Sequence, residues 1–374
     1  MNITKENLDN LEKKYPGFIK GEKVDEFFKE FGIKFAAGHW TAGDFKDRFV
    51  TDGYNPSLPS DIFSQLERIK ETNVKGVELH NTVFVDDETG KWDYKLIDDV
   101  KDKMKELGLV PTNMNTNVWT HHRWKMGSIA NPIREIREAA LTRALETVDL
   151  AAEVGCASVA LWPGSDGWDY NFEADYGKLF KWFLEGTLKI AERAKKHGLK
   201  FGIEAKPHEP REGNMIVATT HQGILFSKMV NERLGEPIMG VAIDYGHEQM
   251  YAVEPASMLY MAKVAGVPIA NFHLNNAKTH SNDEDRIAGT GDIWRFIDFC
   301  YAAIDTGYDG WFGEDQFTYR TEPVSAIRLS KEFFANAMKK ALLIYKEKDM
   351  LDEARAEGDQ AKILDIVKEI VYTG

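Results

Sequence analysis

The stretch IREIREAALTRALETVDLAAEVGCASVALWPG, residues 133–164, contains the unit from which most of the chain is built. A long amphipathic segment ends at Gly155, and a short apolar segment follows it and ends at Trp162. Glycine is a usual residue just after a helix, and a short apolar run is typical of a buried strand. The stretch therefore predicts a helix followed by a strand.

The same alternation continues from residue 34 to about residue 347. Eight segments are predicted to be strands: KFAAGHWT, VKGVELHN, VPTNMNTN, ASVALWPG, KFGIEAKP, MGVAIDYGH, PIANFHLNN and GWFGEDQF. Parallel strands need long crossover connections, and the helical segments between these strands supply them. The pattern predicts an α/β fold, a closed (β/α)8 TIM barrel, which runs to roughly 250 residues and exceeds 400 with insertions.

The predicted barrel has a helical segment on each side. We expect an N-terminal helical extension at residues 1–33, the barrel at residues 34–347 and a short C-terminal helical tail at residues 348–374. No stretch rich in glycine, serine or proline separates these parts. The chain is therefore predicted to be one domain with decorations.

Composition excludes several classes of partner. The formal net charge is −13, which argues against nucleic acid because phosphate binding needs a basic surface. Cys156 and Cys300 are too few for a disulfide framework, which favours a reducing cytoplasm. The chain has no run of about 18 apolar residues, so no membrane span is expected, and its charged start predicts no secretory signal.

Polar and aromatic side chains recur at the predicted carboxyl ends of the strands, where such barrels carry their chemistry. In chain order they are His39 and Trp40, His80, Asn117, Trp119 and His121, Trp162, Glu204 and Lys206, Asp244 and His247, His273 and Asn275, and Asp315. Glu204 and Lys206 are separated by one residue, so both face the barrel interior. An acid and an amine on one face can serve one substrate.

Two sets of these residues are candidate metal ligands. The first set is Glu204, Asp244, His273 and Asp315, from four successive strands, and the second set is Asp244, His247, Asp283 and Asp285. Carboxylates with imidazole suit Mg²⁺, Mn²⁺ or Co²⁺, and two cations sharing Asp244 would offset the crowded negative charge. An isolated histidine is more often hydrogen-bonded than a ligand, which is how we interpret His39 and His121.

At these residues the sequence resembles the xylose isomerase family over roughly residues 34–345. IEAKPHEPR and GVAIDYGHEQM are the most specific matches; GHWTAGDF, GVELH, LWPGSDG, NDEDRIAGTGD and GEDQFTYRT follow the family's order. The resemblance implies His80 as the ring-opening residue, Lys206 as the lysine near the first sugar oxygen, and the two sets as ligands of two cations. It also implies that Trp40, Trp119 and Trp162 form an apolar wall; we assign Asn275 to substrate binding and Asp285 to catalysis.

The sequence departs from that family at several positions. Asp244 stands where the family has Glu, His273 where it has Asp, and Val83 where an Asp orients the ring-opening histidine. The long C-terminal arm that clasps a neighbouring subunit is largely missing, although a homo-oligomer, a dimer or tetramer, is still expected. The first set also resembles the ligands of the ketose 3-epimerase branch, which uses two glutamates as acid and base and lacks the lysine.

The resemblance implies an aldose–ketose isomerase, an intramolecular oxidoreductase that acts by a metal-assisted hydride shift. The alternative is a ketose 3-epimerase or another enediolate enzyme that acts on a sugar by proton transfer. Cleavage of a modified sugar on the same scaffold, and a sugar-binding barrel without turnover, also remain open. The sequence does not identify the sugar.

Overall fold

Eight strands form a closed parallel barrel in the computed structural model, which describes residues 1–373. The strands, including the two of a small hairpin, are in chain order β1 (Lys34–Gly38), β2 (Gly76–His80), β3 (Val110–Asn115), β4 (Ser158–Leu161), β5 (Gly167–Trp168), β6 (Lys200–Glu204), β7 (Asn214–Met215), β8 (Met239–Asp244), β9 (Ile269–Leu274) and β10 (Trp311–Glu314). Around the barrel the order is β1-β10-β9-β8-β6-β4-β3-β2, so β6, β8, β9 and β10 are neighbours. The predicted TIM barrel is confirmed.

Helices surround the barrel and extend it at both ends of the chain. They are α1 (Lys5–Asp9), α2 (Leu11–Lys14), α3 (Glu22–Phe31), α4 (Ile62–Glu71), α5 (Tyr94–Leu107), α6 (Arg134–Val154), α7 (Tyr176–His197), α8 (Thr220–Leu234), α9 (Tyr245–Met250), α10 (Pro255–Ala265), α11 (Ile293–Thr306), α12 (Pro323–Lys346), α13 (Lys348–Glu357) and α14 (Gln360–Tyr372). Short 3-10 helices follow β1 and β2 at His39–Ala42 and Asn81–Val83, and another spans His122–Trp124. No helix within residues 1–373 is long and apolar enough to cross a membrane.

The N-terminal helix α3 packs against the last barrel helix, α12. Phe28 of α3 packs against Phe334 of α12 with ring centroids 6.0 Å apart. Lys331 of α12 is buried and places its Nζ 2.5 Å from Asp25 of α3. The tail forms α13 and α14, and the predicted boundary at residue 347 falls between α12 and α13. The division of the chain into three parts stays a prediction.

Apolar packing between the strands and the helices sets the direction of the polar residues on β9 and β10. Phe272 and Phe312 stack on the outer side of the barrel with centroids 5.3 Å apart, and Phe334 of α12 lies 4.8 Å from Phe312. Because side chains alternate along a strand, His273 and Gly313 then face the barrel interior. The packing of the phenylalanines on the outer side of the barrel therefore directs the His273 side chain into the interior.

A small hairpin that the sequence did not predict lies in the loops after β4 and β6. Its strands β5 and β7 pair antiparallel, with Gly167 opposite Met215 and Trp168 opposite Asn214. Arg211 anchors it through contacts with the carboxylates of Asp169 and Glu173. The hairpin and the ion pairs of Arg211 therefore hold the loop that begins with Lys206.

Candidate active site and metal centre

A cavity of about 570 Å³ opens at the carboxyl ends of the barrel strands. Most of the residues predicted to form the site line it: Trp40, His80, Trp119, Trp162, Glu204, Lys206, His247, His273, Asp283, Asp285 and Asp315. Asp244 and Asn275 lie behind this lining and are almost fully buried. The strand ends therefore converge on one pocket, with a size in the range of small-molecule sites.

The first set forms a compact cluster in this cavity. One ligand atom from each of the four residues, Glu204, Asp244, His273 and Asp315, lies within 4.8 Å of the others. His273 Nδ1 is 3.1 Å from Glu204 Oε2, 3.3 Å from Asp315 Oδ2 and 4.0 Å from Asp244 Oδ2. Consecutive barrel strands β6, β8 and β9, and the residue after β10, supply these side chains.

The electrostatics of the first set fit a divalent cation. Burial, reinforced by the nearby Glu204 carboxylate, raises the pKa of Asp244 to about 7 and that of Asp315 to about 6. Burial opposes charge on His273, but the carboxylates of Glu204, Glu78 and Asp315 outweigh it and raise its pKa well above the ordinary value. His273 Nδ1 is buried without a hydrogen-bond partner, despite its nearby carboxylates. Three carboxylates and one imidazole, whose nitrogen becomes a donor once the cation displaces its proton, are a suitable ligand set for Mg²⁺, Mn²⁺ or Co²⁺.

The second set is arranged differently. His247 Nε2 lies 3.1 Å from Asp283 Oδ2, and His247 Nδ1 lies 2.9 Å from the carbonyl oxygen of Ala205. Burial opposes charge on His247, but Asp244 and Asp283 raise its pKa to about 9. Within residues 1–373, the ligand atoms of the first set all lie within 4.8 Å of one another, and those of the four residues of the second set do not converge in this way.

Lys206 takes the position of a cation beside the second set. Its Nζ lies 2.7 Å from Asp283 Oδ2, 3.9 Å from Glu209 Oε2 and 5.0 Å from the centre of the Trp162 ring. Burial disfavours the charged amine, yet Asp283 and Asp285 raise its pKa above the ordinary lysine value. The side chain is 7% exposed and lines the cavity, so it presents a fixed positive charge there.

Aromatic rings form another part of the cavity lining. The rings of Trp40 and His80 are 4.1 Å apart, and those of Trp119 and Trp162 are 4.6 Å apart. Trp40 Nε1 also donates a hydrogen bond to Asp315 Oδ1 at 2.7 Å, so this residue both forms the wall and orients a carboxylate of the first set. Burial, with the neighbouring His39 and His273, lowers the pKa of His80 well below its ordinary value, which keeps the ring neutral.

Asn275 follows β9 directly and lies behind the cavity lining. Its Nδ2 donates to Asp244 Oδ2 at 2.9 Å and to Asp285 Oδ1 at 3.0 Å, and its Oδ1 accepts from the backbone N–H of Gly246. Both amide hydrogens are used and the residue is fully buried outside the cavity lining. Asn275 thus bridges two carboxylates of the second set, and its role in substrate binding stays a prediction.

His39 and His121 are hydrogen-bonded, as predicted. His39 Nδ1 lies 2.7 Å from Gln65 Oε1 in a buried pair. His121 Nδ1 accepts from the backbone N–H of Arg123 at 3.2 Å and from its Nε at 3.0 Å, and His121 Nε2 lies 3.0 Å from Glu88. These bonds place the His121 proton on Nε2, which leaves no lone pair for a cation beside Glu88.

Glu78, a carboxylate that contacts His273 of the first set, is a site residue that the sequence did not predict. It lies on β2, is 0% exposed, and accepts a hydrogen bond from His273 Nε2 at 3.1 Å. Glu78 precedes His80 by two residues, so both face the interior. The two-residue spacing within GVELH is the signal in the sequence that indicates an inward-facing Glu78.

Comparisons with known proteins agree with this architecture. Residues 66–337 match the family described as Xylose isomerase-like TIM barrel. The xylose isomerase of Thermus thermophilus is 26% identical over 336 residues, which cover 88% of this chain and 83% of that protein.

Solved structures with similar folds are more distant in sequence. An L-ribulose 3-epimerase superposes with a TM-score of 0.63 at 15% identity, covering 86% of this chain and 99% of that one. A 3-keto-D-glucoside 4-epimerase from E. coli gives 0.57 at 17% identity, covering 80% and 97%. At these identities the structures support the fold alone. The family match spans most of the barrel, and the chain belongs to the xylose isomerase-like TIM barrel family.

Proposed function

We propose that this protein is a divalent-metal-dependent sugar isomerase that interconverts an aldose and a ketose by a hydride shift. The observation that carries the proposal is the position of Lys206, whose ammonium group faces the same cavity as the first set and the aromatic wall. Positive charge, acidic ligands and apolar rings thus surround one space. The relatives named above act on sugars, and the class of substrate is proposed on that basis.

The first set would hold the cation, with Glu204, Asp244 and Asp315 as oxygen donors and His273 as a nitrogen donor. A divalent cation bound there supplies Lewis acidity toward the oxygens of an open-chain sugar. Asp244, His247, Asp283 and Asp285 are proposed to hold a second cation, beside the Lys206 ammonium group. Two cations per chain remain part of the proposal.

The isomerisation balances without an external oxidant or reductant. The hydrogen on carbon 2 of the aldose moves with its bonding electrons to carbon 1, and the hydroxyl proton moves from oxygen 2 to oxygen 1. Lys206 donates a hydrogen bond to oxygen 1 as negative charge develops there. Asp285, also in the cavity lining, is proposed to assist the proton transfer.

The aromatic wall has two tasks in this scheme. Trp40, Trp119 and Trp162 exclude water from the carbons, which suits hydride transfer rather than exchange of a proton with solvent. The neutral His80 ring, packed on Trp40, can hydrogen-bond a ring or chain oxygen of the sugar. Val83 lies where the family has an aspartate that orients this histidine, so an open-chain substrate suits the site as well as a cyclic one.

The second candidate is a ketose 3-epimerase that acts by proton transfer. The observation that favours it is the single compact four-ligand cluster, combined with the Lys206 ammonium group already paired with Asp283. One cation would then suffice. Cytoplasmic location and assembly as a dimer or tetramer stay predictions.

The test is a screen of free aldoses and ketoses with Mg²⁺, Mn²⁺ or Co²⁺, followed by product analysis in D₂O. The proposal expects an aldose–ketose pair whose transferred hydrogen comes from the substrate, with no deuterium at carbon 1 or 2. Deuterium at carbon 1 or 2 of an aldose–ketose pair would instead establish isomerisation by proton transfer, and a product inverted and deuterated at carbon 3 would establish the epimerase. Metal uptake without turnover of any sugar would indicate a binding protein.

A further inference from the structure

Glu78 lies next to the first set in a buried site formed by polar side chains. Its Oε2 accepts from His273 Nε2 at 3.1 Å, from Asn113 Nδ2 at 3.1 Å and from Asn115 Nδ2 at 3.2 Å. Its Oε1 accepts from Asn271 Nδ2 at 2.9 Å. Three different strands, β3, β9 and its own β2, thus build the surroundings of one buried carboxylate. It is absent from the cavity lining and is 0% exposed, so its position is not one that contacts a sugar.

A glycine on β10 makes room for this carboxylate. A Cβ atom at Gly313 would lie 1.7 Å from Glu78 Oε1, far inside van der Waals contact. Interior positions of such barrels are usually filled by bulky branched residues. Here the space is given to a glutamate and three asparagines, and this arrangement leaves the His273 ring with an anionic partner.

The contact with Glu78 determines which ring nitrogen of His273 faces the first set. An ionised carboxylate can only accept a hydrogen bond, and carboxylates lie 3.1 Å from both ring nitrogens, Glu78 at Nε2 and Glu204 at Nδ1. Glu204 would give its lone pairs to the cation, so Glu78 is the acceptor that remains and the proton of the neutral ring belongs on Nε2. His273 Nδ1 then carries the lone pair, lies 3.1 Å from Glu204 Oε2 and has no hydrogen-bond partner. Carboxylate partners of this kind orient metal-binding histidines and make them better donors.

We propose that Glu78 is a positioning residue that holds His273 in the tautomer with Nδ1 directed at the cation site of Glu204, Asp244 and Asp315. The inference rests on the cation of the proposed function, and on neither the sugar nor the reaction. It adds a charged residue from β2 to a site whose ligands all come from the opposite part of the barrel.

The variant Glu78→Gln keeps the shape and one acceptor oxygen but removes the charge. Its matched control is Glu332→Gln, which removes the charge of another buried, hydrogen-bonded glutamate that pairs with Arg328 on α12, outside the cavity lining. Both full-length proteins are stripped with a chelator and titrated with Mn²⁺ by calorimetry. Loss of a carboxylate partner typically weakens metal affinity about 10–100-fold. We expect that loss for Glu78→Gln, and a change of less than about twofold for Glu332→Gln.

A second measurement reports on the ring itself in the wild-type protein and does not depend on whether Glu78→Gln folds. Long-range ¹H–¹⁵N spectra of the histidine-labelled, Mg²⁺-loaded wild-type protein give the tautomer of His273, assigned by comparison with His273→Gln. The proposal expects a proton on Nε2 and none on Nδ1. A proton on Nδ1 would overturn it, as would Mn²⁺ affinity of Glu78→Gln within about threefold of wild type.

The outcomes separate this inference from the proposed function. Weakened Mn²⁺ binding in Glu78→Gln together with inactivity toward every sugar would support the positioning role and reject the isomerase. Full Mn²⁺ affinity in Glu78→Gln with an active wild-type isomerase would reject the positioning role and support the isomerase. If the wild-type protein binds no Mn²⁺, both fail.

Discussion

Replacing Lys206 with methionine is the sharpest single test of the proposed chemistry. Methionine has a similar length and apolar character, so it fills the space against Trp162 without the ammonium group. In the wild-type protein that group lies 2.7 Å from Asp283 and faces the cavity. The substitution therefore removes one charge from the reacting space and leaves a carboxylate with fewer partners.

The expected loss of turnover follows from the role of one charged donor. Removing a single donor to a developing negative oxygen costs about 10²–10³-fold in kcat, or about 2.7–4 kcal/mol of the barrier. Stability should also fall, because breaking a buried ion pair costs about 3–5 kcal/mol. Asp283 keeps His247 at 3.1 Å, so the lower end of that range is expected.

The assay compares Lys206→Met with Lys331→Met at saturating metal. Lys331 is another buried lysine, paired with Asp25 at 2.5 Å on the side of the barrel where α3 packs, and it is not part of the cavity lining. Initial rates give kcat, and urea denaturation gives the free energy of unfolding. We expect both variants to lose stability and Lys206→Met alone to lose turnover. A kcat of Lys206→Met within about threefold of wild type, or an equal loss in Lys331→Met, would refute the role of Lys206.

Three further predictions concern neighbouring residues. Asp285→Asn should lower the metal content from two ions per chain to one, measured by elemental analysis; a wild-type protein with one ion would remove the two-cation scheme. Asn275→Ala should destabilise the protein by about 3–5 kcal/mol in urea, because two carboxylates and the N–H of Gly246 lose partners; an unchanged midpoint would contradict the bridging role. Burial lowers the pKa of His39 to about 4, so its neutral form is favoured by folding. Because an unfolded histidine titrates near pH 6.5, stability should fall by up to about 3 kcal/mol as pH drops from about 6.5 to about 4. His39→Asn should flatten that decline, and an equal slope in both proteins would refute it.

The barrel was predictable because its signal repeats. Each strand segment is short and apolar, and most of the helices that precede the strands end at a glycine. The eight predicted segments therefore contain the eight strands of the barrel. The hairpin of β5 and β7 could not be predicted, because each strand has only two residues and two residues show no periodicity. The predicted strands also ran past the observed ends, since polar residues such as Asp315 begin loops directly after the last paired residue.

The site was predictable to the extent that position along a strand determines direction. Carboxyl-end residues such as Glu204 and His273 converge because parallel strands end at one rim of the barrel. The role of Asn275 depends on contacts with Asp244 at the end of β8 and with Asp285 in a loop. The role of Glu78 depends on a contact between strands distant in sequence. Glu78 meets His273 across 195 positions, and nothing in either segment alone reveals that pair.

The central claim is that Glu204, Asp244, His273 and Asp315 together hold a divalent cation. The most direct measurement is an anomalous difference map from a crystal of the protein soaked in Mn²⁺. The account predicts a peak among these four side chains, and its loss in Asp244→Asn. An empty position there, with Mn²⁺ bound elsewhere or not at all, would contradict it.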